Sequence, residues 1–168
     1  MILTVRAPGV LTSLSGRFTC ALGRGGIGVK SGEGDGITPV GLFPLRSVFY
    51  RPDKMNAPET GLPATALKSS DGWCDDPENP AYNQKIQLPF EAGHEKLWRE
   101  DALYDVIVEV GYNDGPVIAG KGSAIFIHVA RPEYTPTEGC VALKLEDLLE
   151  VLKNCGPESQ IEIIQPNP

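Results

Sequence analysis

The sequence predicts a mainly β domain with one substantial helix, and three observations carry that prediction. Glycine and proline are abundant, 19 and 15 in 168 residues, which favours many short strands joined by turns over a helical bundle. Two segments, YDVIVEVGY (104–112) and SAIFIHV (123–129), are dense in β-branched and aromatic residues. One segment, LEDLLEVLKNC (145–155), carries leucines at helical spacing. The length suits a single domain over 1–168 with one sizeable core, and a hydrophobic share of 41% suits a folded chain.

Along the chain, ILTVR (2–6) and RFTCAL (17–22) read as short strands. A Gly-rich stretch, GRGGIGVKSGEGDGITPVG, follows. GLFPLRSVFYR (41–51) reads as a strand that Pro44 confines to an edge or a bulge. A further short strand is expected at 62–68. Residues 69–90 are dense in Asp, Pro and Asn and read as a long loop, a length that points to function. HEKLWRED (94–101) suits one or two helical turns. Strand 104–112 is the clearest, and 123–129 is apolar on both alternating faces, as a central buried strand is. The helix at about 145–155 has Leu145, Leu148, Leu149 and Leu152 on one face and Glu146 and Asp147 in its first turn, where the helix dipole favours acids. Gly156 and Pro157 stop it, and QIEII (160–164) is a last strand.

Charge and composition exclude several functions. A net charge of −7 and no long basic run argue against nucleic acid and anionic lipid as partners. No stretch has the ~18 apolar residues of a membrane span. MILTVRAPGV lacks the charged start and long apolar run of a signal peptide, so either a cytoplasmic location or export by another route is expected. Four cysteines (Cys20, Cys74, Cys140 and Cys155) match no disulfide framework and contain no CxxC pair, so no metal is expected. GRGGIG (23–28) fits the letters of a dinucleotide fingerprint, but VKSGEGDGITP after it cannot open the required helix, so no cofactor is expected either. Nothing in the pattern points to a particular oligomeric state.

Only two histidines exist, His94 and His128, so an imidazole base must be one of them. His94 lies among polar residues and reads as a solvated side chain. His128 ends the most apolar strand and reads either as a satisfied core histidine or as a base. Beyond it the chain runs VARPEYTPTEG to Cys140, and Pro132 and Pro136 keep that stretch out of helix, so it can fold back and set a thiol beside the strand end. A thiol is mostly protonated at neutral pH, and an adjacent imidazole can lower its pKa and shuttle its proton. Gly139 permits a sharp turn that aims the amides of Glu138, Gly139 and Cys140 at one point, as an oxyanion hole requires. The plainer alternative is that Cys140 merely packs in a turn.

The stretch H-V-A-R-P-E-Y-T-P-T-E-G-C-V-A resembles the signature of the L,D-transpeptidase catalytic domain, the YkuD domain, through His128, Thr137, Gly139, Cys140 and Val141. A second element, GEGDGITPVGLFPL, is similar to that family's early G-D-x-x-T-P-x-G-x-F stretch through Asp35, Thr38, Pro39, Gly41 and Phe43. DGWCDDP and LWREDALYD resemble a compact branch that has the catalytic domain alone. The sequence departs from the pattern at Glu138, where the family has His, at Ala142, where it has Asn, and in a shorter loop from His128 to Cys140.

The resemblance implies a β-sandwich or mixed-sheet fold and a peptidoglycan L,D-transpeptidase of the cell envelope or periplasm. Cys140 would attack a stem-peptide carbonyl to form a thioester, with His128 as acid and base. An acceptor amine on a neighbouring stem would then complete a 3-3 or 1-3 cross-link. Arg131 suits a substrate carboxylate by its bidentate fork, and Asp75 or Asp76 suits the acceptor amine. Two rival readings use the same residues: a carboxypeptidase or amidase in which water replaces the acceptor, and a peptidoglycan-binding relic without catalysis.

Overall fold

The computed structural model describes residues 1–168. In chain order its elements begin with β1 (Ile2–Arg6), β2 (Val10–Ser13), β3 (Gly16–Thr19), β4 (Ile27–Gly28) and β5 (Thr38–Pro39). They continue with β6 (Gly41–Tyr50), β7 (Ala64–Ala66), β8 (Asp71–Cys74), β9 (Lys85–Gln87) and β10 (His94–Lys96). The last are β11 (Val106–Val110), β12 (Phe126–Val129), β13 (Val141–Leu143), the helix α1 (Leu145–Leu152) and β14 (Gln160–Ile163). The fold is mainly β with mixed sheets and one α-helix, as the composition predicted.

The large sheet runs β13-β12-β11-β6-β14-β1-β2-β3, with β7 also paired to β6. Strand β6 joins its two halves. Gly41 to Pro44 pair with β14, and Leu45 to Tyr50 pair with β11. Pro44 therefore lies inside the sheet, not at an edge. Its carbonyl accepts from Gly111 N–H at 2.8 Å, just past the end of β11, where a missing donor breaks no ladder rung. Between Leu45 and Val48 the register slips by one residue, so the expected bulge is present beside the proline.

Period-2 alternation then sorts the core. From β11 and β12, Val106, Val108, Val110, Ile127 and Val129 join a main cluster of 24 buried residues that includes Leu148, Val151 and Leu152 of α1. Ile107 and Phe126 face the other way into a second cluster of 8, with Trp73, Leu97, Tyr104 and Cys140. Phe126 meets the edges of Trp73 and Tyr104 at ring-centroid distances of 5.1 and 5.9 Å. His128 shares this second face.

What covers that face departs from the sequence reading. Residues 69–90 are not one loop, because they contain β8 and β9. Residues 94–101 are not helical, because His94–Lys96 forms β10, paired to Gly72–Cys74. These strands form a small sheet in the order β10-β8-β9. The helical letters of HEKLWRED yield to tertiary packing, since pairing with β8 seats Leu97 fully buried beside Trp73. The hairpin partner β2 was also missed, while the strand expected over 17–22 ends at Thr19. Helix α1 ends at Leu152, with Lys153 as its C-cap, and not at 155.

Candidate active site

The site is built where the parallel strands β12 and β13 lie side by side. His128 pairs in register with Ala142, so the Ala142 methyl group stands on the same face as the imidazole. The connection between these strands carries a short turn over Pro132–Tyr134 and ends in the segment Thr137–Cys140. Thr137 is the clasp of that segment: its hydroxyl donates to Cys140 C=O at 2.6 Å and accepts from Gly139 N–H at 3.1 Å. Gly139 has φ +136°, and a Cβ there would stand 2.7 Å from Ile37 C=O, so only glycine fits. Its amide is thereby committed to Thr137. The amides of Glu138 and Cys140 donate to no protein acceptor, which narrows the expected group of three to two.

The Gly-rich stretch braces this segment. Thr137 N–H donates to Leu22 C=O at 2.9 Å, and Arg24 N–H donates to Thr137 C=O at 2.8 Å. Gly23 N–H donates to Thr38 Oγ1 at 2.8 Å, and a Cβ on Gly23 would lie 2.9 Å from Gly139 Cα. Asp35 folds its own loop by accepting from Lys30 Nζ at 2.6 Å and from the amides of Ser31 and Ile37 at 2.8 and 3.0 Å. These bonds hold its carboxyl well below the usual range, against the effect of burial. Lys30 Nζ also donates to Ile37 C=O at 3.2 Å, the carbonyl that presses on Gly139. The Glu138 carboxylate leans outward to Arg24, with N–O distances of 3.1 to 3.3 Å.

His128 Nδ1 lies 2.9 Å from Val129 C=O. A carbonyl only accepts, so Nδ1 carries the proton and Nε2 keeps its lone pair. Burial pulls the imidazole pKa down from 6.5 to about 4, a fall that the Val129 bond partly opposes. Tyr104 packs edge-on against the ring at 5.4 Å between centroids, and its hydroxyl donates to Glu95. Cys140 Sγ accepts from Phe126 N–H at 3.3 Å and donates to Ala124 C=O at 3.2 Å. Burial pushes its thiol up to about 12. The expected lowering of the thiol pKa by the imidazole is therefore not what the environment produces. Both groups rest neutral, and the thiol proton points at a carbonyl and not at the ring.

Cys140 and His128 line one cleft of about 550 Å³. Thr137, Glu138, Arg131 and Asp75 line it too, while Gly139 lies buried behind it. Asp76 does not line it; its carboxylate accepts Glu78 N–H at 3.0 Å in its own loop. His94, read as solvated, is half-buried on the cleft wall and bonded to Ala92 C=O at 2.8 Å. Sequence reasoning missed Lys30, Glu33, Glu95, Arg99, Tyr104 and Ser123, all lining residues. It also missed Asn83, whose side chain accepts from Trp73 Nε1 and Ala124 N–H and donates to Tyr112 C=O and Asn113 C=O. Glu33 falls inside the early motif stretch and Arg99 and Tyr104 inside LWREDALYD, but nothing in those segments marks them as cleft residues, so only the fold brings the group together. All four cysteines are free and buried, and Cys140 alone lines the cleft.

Neither the curated proteins nor the solved structures compared with the chain gave a match. A family model did. The model of the L,D-transpeptidase catalytic domain, YkuD, spans residues 8–163. That span takes in both braced motifs and the whole cleft, and the chain belongs to this family.

Proposed function

We propose that the protein is a peptidoglycan L,D-transpeptidase of the cell envelope that joins stem peptides through a Cys140 thioester. The observation that carries this reading is that a thiol lines the same cleft as an imidazole whose Nδ1 is tied to Val129 C=O, which leaves Nε2 as the base. The sulfur leaves Ala124 C=O, gives its proton to Nε2 and attacks the donor carbonyl. The free amides of Glu138 and Cys140 receive the developing oxyanion. His128 then returns the proton to the leaving amine. An acceptor amine attacks the thioester, and the cross-link forms as the C–S bond breaks. Because both partners start neutral, proton transfer accompanies attack, and no standing thiolate is required. Arg131 has no carboxylate partner within the chain and is the cation available to the donor. No helix is long and apolar enough to cross a membrane.

Intact mass spectrometry after incubation with a stem tetrapeptide tests this. The expected result is a covalent adduct that wild type forms and Cys140→Ala does not, and new cross-links in muropeptides digested from treated sacculi. A Cys140→Ala protein that still produces cross-links sinks the covalent mechanism. Release of shortened peptide with no cross-link, even with abundant acceptor, assigns the hydrolase instead.

A further inference from the structure

The sulfur of Cys140 sits in a cradle of backbone groups from one short segment. Phe126 N–H donates to Sγ at 3.3 Å, and Ala124 C=O accepts its proton at 3.2 Å. Phe126 is fixed by pairing with Glu109 of β11. Ala124 lies just before β12 and has φ +53°, in the left-handed region that an alanine rarely takes. Such a conformation persists only where its surroundings hold it. The chain is tied on both sides of it, at Phe126 by the strand and at Gly122 by the Tyr82 hydroxyl at 3.0 Å. Between two fixed ends, a change of φ at Ala124 must turn the intervening peptide planes, and the carbonyl facing the thiol belongs to one of them.

The side chain that holds Ala124 is Asn83. It is 6% exposed and makes four hydrogen bonds, as many as a carboxamide can. Oδ1 accepts from Ala124 N–H and from Trp73 Nε1, each at 3.0 Å. Nδ2 donates to Tyr112 C=O and Asn113 C=O, each at 2.9 Å. Two donors on one side and two carbonyls on the other admit a carboxamide and reject a carboxylate of the same shape. The backbone of Asn83 is itself anchored, with its N–H on Cys74 C=O at 2.9 Å and a φ of +57° that asparagine tolerates. Asn83 does not line the cleft, so any effect it has on Cys140 passes through Ala124.

We propose that Asn83 is a positioning residue for the nucleophile: it holds Ala124 in the left-handed conformation and so keeps the cradle from which Sγ reaches the substrate carbonyl. Its effect on the reaction rests on the thioester reading above, whereas the cradle itself does not. An alanine released from the left-handed region favours ordinary conformations about 10-fold, so without Asn83 the cradle becomes a minor state. Glycine has no such preference and needs no clamp to take that φ.

The test compares wild type, Asn83→Ala, the double variant Asn83→Ala/Ala124→Gly, and Leu148→Ala, a core truncation in α1 that sets what lost stability alone does. Circular dichroism checks each fold. The first readout is the infrared S–H stretch of Cys140, taken as the difference between each protein and its own Cys140→Ala version. A thiol that donates to a carbonyl absorbs below a free one. The second readout is single-turnover acylation by the stem tetrapeptide. Asn83→Ala is expected to move the band up and to lower the limiting rate about 10-fold, with half-saturation unchanged because Asn83 does not line the cleft. The added Ala124→Gly change is expected to return the band and most of the rate, and Leu148→Ala to alter neither. An unmoved band in folded Asn83→Ala overturns the proposal. So does a loss that Ala124→Gly fails to restore, because Asn83 then only ties the covering sheet to the loop after β11. If Asn83→Ala does not fold, Asn83→Asp takes its place. Its carboxyl must be protonated to face two carbonyls, so its band and rate should depart from wild type as pH rises, and profiles parallel to wild type overturn the proposal. A wild type that forms no adduct refutes the cysteine mechanism, while the band still decides whether Asn83 holds the cradle.

Discussion

Acidification should unfold this protein partly through one residue, His128. The residue is 4% exposed, and burial lowers its pKa to about 4, against 6.5 for an ordinary imidazole. Between those values the unfolded chain takes up a proton that the folded chain refuses, so stability falls as pH falls. The loss begins near pH 6.5 and saturates below about 4. At ~1.4 kcal/mol per pH unit the full loss is roughly 3 kcal/mol, of which about 2 kcal/mol arrives between pH 7 and pH 5. Glu95 and Glu109, whose carboxyl pKa values burial raises, push stability the opposite way. The comparison is therefore with His128→Gln, which keeps those groups and an N–H for Val129 C=O but cannot titrate. Urea unfolding of both proteins at pH 7, 6 and 5 measures the difference. Wild type should lose about 2 kcal/mol more than the variant over that range. Parallel losses would mean that the ring is solvated in solution, and the argument for a neutral resting pair would go with it.

Two further substitutions probe the Thr137–Cys140 segment. Glu138→Ala should lower single-turnover acylation far less than His128→Ala, because alanine keeps the amide at 138 and the carboxylate there leans out to Arg24; loss of the base is expected to cost about 10²–10⁴-fold, and equal losses in two folded variants would make the Glu138 carboxylate part of the catalytic unit. Gly139→Ala should cost roughly 1–3 kcal/mol in backbone strain alone and displace Ile37 C=O, so denaturant melts and acylation should both suffer; a stable, active variant would contradict the contact of 2.7 Å on which the turn is argued.

The sequence revealed most where one face of an element is enough to define it. Strands 104–112 and 123–129 and the leucine-striped helix were legible because their apolar spacing reports burial directly. Alternation also concealed something. The two faces of SAIFIHV read equally apolar, so the sequence could not say that Ile127 and Val129 enter the main core while Phe126 enters the second cluster and His128 lines the cleft. The covering sheet was illegible for a different reason. Strands β8, β9 and β10 are three or four residues long and set among Asp, Pro and Asn, so no period can show, and their pairing is settled by Trp73, Leu97 and Asn83. Cys140 and His128 were legible as types and spacing. Their charge states were not, because burial sets those, and burial belongs to the fold.

The same distinction explains why the two motifs lie so far apart in the chain. The early element ending in T-P holds no group that does chemistry, yet its residues decide where Cys140 stands. Thr38 anchors Gly23, and Gly23 lies against Gly139 with no room for a methyl group. Lys30, neutralised by Asp35, props the Ile37 carbonyl that restricts Gly139 to its φ of +136°. That φ sets the turn in which Thr137 closes on Cys140 C=O and leaves the Cys140 amide unclaimed. A loop with two prolines and a non-helical turn has little order of its own. Its shape comes from a second loop that hydrogen bonds across to it, which is why both sequences are needed to make one site.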